Sequence, residues 1–467
     1  MKKIIFFLLI QEVLLGNPTV IIDKNSTAYD EVLKDTFLKM KQIAKKQIVK
    51  KRVALQYIDI NDTKIPFIFE EDKNLPIISM QLIFQNSGTL SDSKDGLVQL
   101  TASLLNEGTK KEGSVGFATK LESRAITLGT HSGKETFVME LGSLKEEFHT
   151  AIERMIELIK DPNYSTETLD KIKTQTIGSI KRRESDFDYI SSLEMKKMLF
   201  PNTLLAKPSS GTVESIESIK VEDIQKQITT HMGIENAIVV MGGDINKFEA
   251  ERLVKKVLTL LPSVSPQVLE RMKPIGKEQV KKKILKSEQA YVYFGAPLEV
   301  AYDSNESHLS RVASFILGSS GFGSRMMEEI RVKKGLAYSA YSRFNINKTH
   351  SYFSGYLQTK VETGAEAVES VKEVVNDFIT KGVTEEELTS AQQFLLGSEP
   401  LRNETLSQRL NRAFHEFYNE KPLDSADEEL KKIENITLDE LNRFIAKHKE
   451  IAQLSFSVVT GEAKSNN

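Results

Sequence analysis

Apolar residues follow two rhythms along the chain: alternation over short runs and a three-to-four residue spacing over longer ones. Tyr57 to Ile60, Ile65 to Glu70 and the run PIISMQLIFQ ending at Gln85 predict strands. A helix is predicted from about Asp95 to Asn106, then a hairpin in ITLGTHSGKETFVMEL, then a long helix in SLKEEFHTAIERMIELIK that Pro162 stops. STETLDKIKTQTIGSIKRRE begins another helix, with Ser165 as its N-cap. The rhythm then starts again. QAYVYFGAPLE predicts a strand and Ser307 to Leu317 a helix. The Gly-rich GSSGFGSR leads to a helix in MMEEIRVKK and strands in AYSAYSRFNIN and SYFSGYLQT. The long helix AEAVESVKEVVNDFIT follows, and VTEEELTSAQQFLLGSE opens the next.

Strand, helix, hairpin, long helix, turn and helix in the same order twice predict a duplication. The expected fold class is α+β: two homologous domains, each a largely antiparallel sheet with helices on one face. Residues 53–261 and 284–462 are the two domains, and 262–283 is the linker, where PSVSPQ and GKEQVKKK carry prolines and charge but no periodicity. Before the first domain, Ser26 to Arg52 reads as a basic amphipathic helix within an extension over 17–52. Packing its apolar stripe with the lysines solvated is preferred over lying on a membrane surface. Residues 1–16, with Lys2, Lys3 and an apolar run from Ile4 to Ile10, read as a secretory signal peptide, which implies the periplasm or cell envelope. A buried strand and an uncleaved anchor are the alternatives. The apolar run is far shorter than the ~20 residues that cross a bilayer, so no transmembrane span is expected.

Composition narrows the chemistry. The 467 residues are 40% hydrophobic and 27% charged, which suits packed domains rather than disorder. A net charge of −2 argues against nucleic acid as a partner. With no cysteine, disulfides, thiolate metal sites and cysteine nucleophiles are excluded. Gly318, Gly321 and Gly323 do not have phosphate-loop spacing and read as a flexible turn before a helix.

Three stretches in order resemble the pitrilysin/insulinase family of zinc peptidases. They are SGTLSDSKDGLVQLTASLLNEGT (residues 87–109), PSSGTVESIESIKVEDIQKQITTHMGIENAIVVMGGDIN (208–246) and SRMMEEIRVKKGLAYSAYS (324–342). The first matches the place of the family's G-x-x-H-x-x-E-H helix, and the last its R…G-L-A-Y element. Family zinc sites are built by H-x-x-E-H, in which two histidines four apart grip the metal and the glutamate activates water. Gln99, Ala102 and Ser103 stand at those positions, and none can do that work. The stretch Lys171 to Arg183, where the family's third ligand would lie, contains no carboxylate. The seven histidines, His131, His149, His231, His308, His350, His415 and His448, are scattered and form no replacement motif.

The R-x-x-x-G-L-A-Y element is intact, with Arg331 and Tyr338 at its ends. In the family this pair holds substrate and stabilises the oxyanion. In related non-catalytic subunits a glycine-rich stretch touches substrate, which suggests a contact role for Phe322 and its neighbours. The resemblance therefore implies a non-catalytic subunit, without zinc of its own and inert alone. It would supply Arg331 and Tyr338 to a paralogous H-x-x-E-H subunit that holds zinc and hydrolyses peptides or unfolded polypeptide. A scaffold subunit of a larger assembly and a homodimeric peptide-binding protein are the competing readings.

Overall fold

The computed structural model describes residues 53–462. The signal peptide expected at 1–16 and the helical extension at 17–52 lie outside the described residues.

Two sheets organise the chain. The first contains β1 (Ala54–Ile60), β2 (Thr63–Glu71), β3 (Ile77–Gln85), β4 (Thr127–Ser132), β5 (Thr136–Leu144) and β6 (Ala237–Gly243), in the order β1-β2-β6-β3-β5-β4. Only the β2–β6 pair is parallel. The second contains β7 (Gln279–Ile284), β8 (Gln289–Pro297), β9 (Ala337–Ile346), β10 (Ser351–Lys360) and β11 (Ser455–Thr460), in the order β7-β11-β8-β10-β9. Here β7–β11 is the parallel pair.

Alternation along the strands divides each sheet into two faces. In the first, Phe67, Phe69, Leu82, Phe84, Phe137 and Met139 point into a core shared with the helices Phe148–Lys160 and Lys247–Leu258. In the second, Val292, Phe294, Phe353, Leu357 and Phe456 meet Val371, Val375 and Phe378 of the helix Gly364–Lys381. These helices have apolar residues at three-to-four spacing, which is why they lie flat on the sheets. Ser165 caps the helix Thr166–Arg183 by accepting from the Thr168 amide at 3.1 Å.

The other face of each sheet receives a helix from the opposite half of the chain. The helix Leu406–Tyr418 lays Leu410, Ala413 and Tyr418 on Ile68, Ile83, Val138 and Val240 of the first sheet. The helix Phe187–Leu199 crosses the second sheet, where Ser191 Oγ donates to the Ser457 carbonyl at 2.8 Å. Glycine makes both crossings close. A Cβ on Gly242 would come within 3.0 Å of Leu406 and Leu410, and one on Gly295 within 2.6 Å of Leu199 and 2.9 Å of Met195. Ion pairs and hydrogen bonds seal the exchange. Arg409 bonds Glu70 and Asp72, and the Tyr418 hydroxyl donates to Glu135 at 2.9 Å.

The stretch read as a linker ends in structure. Its last residues belong to β7, whose sequence QVKKKI has no apolar alternation. An edge strand that pairs on one side through its backbone needs none. The irregular residues before it are tied down: the Met272 amide donates to the Thr349 carbonyl at 2.7 Å, and the Ile275 amide to Leu199 at 2.7 Å.

Candidate functional site

Arg331 and Tyr338 come together on the second sheet. Arg331 lies in a π-helical segment, Met327–Lys333, and Tyr338 is the second residue of β9. Gly335 makes the turn between them at φ +61°, a conformation that costs side-chain-bearing residues about 1–2 kcal/mol. The amides of Gly335 and Leu336 fold back onto the Arg331 and Ile330 carbonyls and fasten the end of the segment. A bulge then sets Tyr338. Leu357 faces Ala340 and Thr359 faces Ala337, so β9 has two residues, Tyr338 and Ser339, opposite one of β10. Without the extra residue Tyr338 would fall in phase with buried Ala340. With it, Ala337 is buried and Tyr338 is 83% exposed.

The Arg331 guanidinium carbon lies 4.8 Å from the Tyr338 ring centroid and 4.6 Å from that of Phe322, which is 72% exposed in the Gly-rich turn. Arg331 is thus held between two aromatic rings, a cation–π arrangement that fixes a long side chain. These groups line an open cleft of ≈ 670 Å³, with Ser319, Tyr341 and Arg343 along its wall. Chemically, the cleft offers a hydroxyl donor and cationic N–H donors to a polar ligand.

Gln99, Ala102 and Ser103 share the helix Leu97–Leu105. The half-buried carboxyl of Asp92 caps its start, accepting from the Val98 amide at 2.7 Å and the Gly96 amide at 3.2 Å. Burial pushes this carboxyl up to about 7 against the pull of those two amides. Ser103 Oγ donates back to the Gln99 carbonyl at 3.1 Å. Ala102 is 4% exposed and belongs to the core, and its carbonyl accepts from Thr130 Oγ1 at 2.7 Å. The helix packs against Thr166–Arg183 through Leu97, Leu100 and Leu104 on one side and Leu169 and Ile172 on the other. Beside that apolar seam, Lys171 pairs with Glu107 at 2.7 Å. Among the described residues, no group of three or more His, Asp or Glu is placed to hold a metal ion.

Residues 218–395 match the family described as peptidase M16 inactive domain. Over 412 residues the chain is 42% identical to the non-peptidase homolog YmxG of Helicobacter pylori, covering 88% of this chain and 95% of that one. The chain belongs to the pitrilysin/insulinase peptidase family, M16. A more distant relative is an uncharacterized zinc protease of Streptomyces coelicolor, 22% identical over 74% of this chain and 77% of its own length. A crystal structure of a peptidase M16 inactive domain from Pseudomonas fluorescens has the same fold, with a TM-score of 0.81 at 23% identity over 88% of this chain and 98% of that one.

Within the M16 family this is an inactive member, similar to a non-peptidase homolog, and its sequence carries no H-x-x-E-H motif. Two contributors to the cleft were not singled out in the sequence. Tyr341 and Arg343 stand on the same face of β9 as Tyr338, at alternate positions that a strand pattern could have flagged. The bulge that adds Tyr338 to that face breaks the alternation.

Proposed function

We propose that this chain is the non-catalytic subunit of a heteromeric zinc metallopeptidase acting on peptides or unfolded polypeptide. A paralogous subunit bearing H-x-x-E-H would hold zinc and the water it activates. Arg331 and Tyr338 would meet the substrate from the opposite side, with the Tyr338 hydroxyl and the guanidinium donating to the oxyanion of the tetrahedral intermediate. In this reading residues 53–261 form the domain with the degenerate zinc site, and 284–462 the domain with the Arg–Tyr element. The leader at 1–16 would deliver the chain to the periplasm or cell envelope.

The observation that carries the reading is the pairing of Arg331 with Tyr338, 4.8 Å apart at an open cleft, in a chain that carries no H-x-x-E-H motif. A scaffold would need neither residue in that place. The test is co-purification of the native partner, followed by kcat/KM of the reconstituted pair on an unstructured peptide. Zinc-dependent turnover that requires both chains is expected. A stable pair with no turnover, or a zinc subunit equally active alone, would reject the reading.

The name of the Helicobacter pylori relative, non-peptidase homolog, favours a second reading. There the chain is a scaffold subunit or a homodimeric peptide-binding protein. Recovery of this chain in a large assembly lacking any H-x-x-E-H subunit would make that the better account.

A further inference from the structure

Two guanidinium groups, Arg331 and Arg343, line the cleft, and no Asp or Glu does. Neither is ion-paired to a carboxylate among the described residues. The Arg331 guanidinium lies over the rings of Phe322 and Tyr338. Arg343 stands directly opposite Ser354 on the same open face of β9, two residues beyond Tyr341. Beside it the Tyr341 ring meets Tyr356 edge-on at 4.4 Å, and Tyr356 stacks on Tyr293 at 5.3 Å. Tyr341 lines the cleft, and the other two rings continue from it across the sheet. Lys196, on the helix from the other half, lies outside the cleft lining but near enough to Arg343 to feel its charge. Burial pushes its ammonium below the ordinary lysine value, and Arg343 pushes it further. The neighbouring carboxylate of Asp188 accepts from the Tyr293 hydroxyl at 3.2 Å and forms no ion pair with either arginine.

Unbalanced positive charge beside low-dielectric walls attracts anions, and a guanidinium favours carboxylates because its fork matches two oxygens. We infer that this cleft is a specificity subsite for an acidic residue of an extended peptide, with Arg343 reading the carboxylate. The inference rests on the peptide-handling role proposed above and adds the class of sequence selected. Five positions separate Tyr338 from Arg343 along β9. At ~3.3 Å per strand residue, an extended peptide with its reacting carbonyl at Tyr338 puts the acidic residue about four or five positions away. A peptide C-terminus presents the same carboxylate chemistry, so the test separates the two sources.

The experiment uses the full chain and fluorescently labelled, unstructured peptides, made both C-terminally amidated and with a free C-terminus, in which one Glu, Gln or Lys is scanned through the sequence. Binding is read by fluorescence anisotropy, and kcat/KM is read with the reconstituted pair. At one position, Glu should bind roughly tenfold tighter than Gln, as expected for hydrogen bonds to a charged group. Salt should weaken the preference. Arg343→Gln should level the Glu and Gln peptides, and Arg343→Glu should turn the preference toward Lys. Equal binding of all three peptides, a preference untouched by Arg343→Gln, or no binding would overturn the inference. So would an acidic preference seen only in peptides with a free C-terminus. Charge-selective binding without turnover would reject the peptidase-subunit reading and leave the subsite standing. Turnover without charge preference would do the reverse.

Discussion

Arg409, on a helix of the second half, holds the carboxylate of Glu70 in the first sheet at 2.9 Å, and Glu70 is 1% exposed. The same guanidinium reaches Asp72 at 2.7 Å and donates to the Glu404 carbonyl at 2.8 Å. One side chain thus neutralises two carboxylates at the seam between halves. Replacing Arg409 with Met would keep most of its packing volume and strand Glu70 without a counter-ion. Removing one partner of a buried pair costs about 3–5 kcal/mol. Chemical denaturation should therefore find Arg409→Met destabilised by that order, and Arg409→Met with Glu70→Gln should recover most of the loss. A single variant with wild-type stability would mean that water reaches the Glu70 carboxylate.

A second seam contact titrates. His350 is buried beside Thr349, whose hydroxyl and amide both donate to Glu135. Its Nδ1 meets Thr349 Oγ1 at 2.8 Å and its Nε2 meets the Asn347 amide nitrogen at 3.2 Å. A neutral ring with its proton on Nδ1 satisfies both contacts. Burial pushes the imidazole down to about 4, with Glu135 pulling the other way. Between about pH 6.5 and 4 the unfolded chain takes up a proton at this position that the folded chain refuses. Stability from this group is complete above that window and falls as the pH drops through it, by up to about 3 kcal/mol. The expected result is a shallower acid-side slope of unfolding free energy for His350→Gln than for wild type. Parallel slopes would show that other groups dominate the acid response.

Tyr338→Phe removes one hydroxyl and leaves an exposed ring, so the fold should be untouched. Arg331→Ala removes the cation between Phe322 and Tyr338. In a reconstituted pair each should lower kcat by on the order of 10²–10³, the usual cost of one oxyanion donor. Zinc content and sedimentation of the pair should not change. Wild-type turnover in both variants would turn the argument toward the scaffold reading.

The chain purified alone is expected to carry no stoichiometric zinc. Gln99→His, Ala102→Glu and Ser103→His together should not create a site, because Lys171 to Arg183 still lack a carboxylate. Glu at 102 would also enter a core position, where an unpaired charge is costly. Elemental analysis and thermal melting of the triple variant check both points. Tight zinc with chelator-sensitive cleavage by this chain alone would overturn them.

Much of this was legible before any coordinates. The helix carrying Gln99, Ala102 and Ser103, the paired strands and the Ser165 cap follow from periodicity and capping, which are local signals. What stayed hidden depends on partners far away in sequence. Nothing in SQRLNRAFHEFY names the first sheet as its destination, and only the small size of Gly242 and Gly295 hints at where the crossing helices lie. β7 escaped notice because its pairing is made by backbone alone. The Arg331–Tyr338 pair was legible through motif resemblance, but the bulge that exposes Tyr338 and the neighbouring Arg343 was not. A bulge erases the alternation by which a strand face is recognised.

The mutual exchange of helices has a consequence for ancestry. Each sheet finishes its packing with a helix supplied by the other half, the geometry of a swapped dimer joined into one polypeptide. A single-copy ancestor with this architecture would have had to associate in twos to bury those sheet faces. Its symmetry would have obliged both copies to carry every functional position. Fusion would release that constraint. One half could then drift at the helix that now holds Gln99, while the other kept an arginine and a tyrosine beside an open cleft.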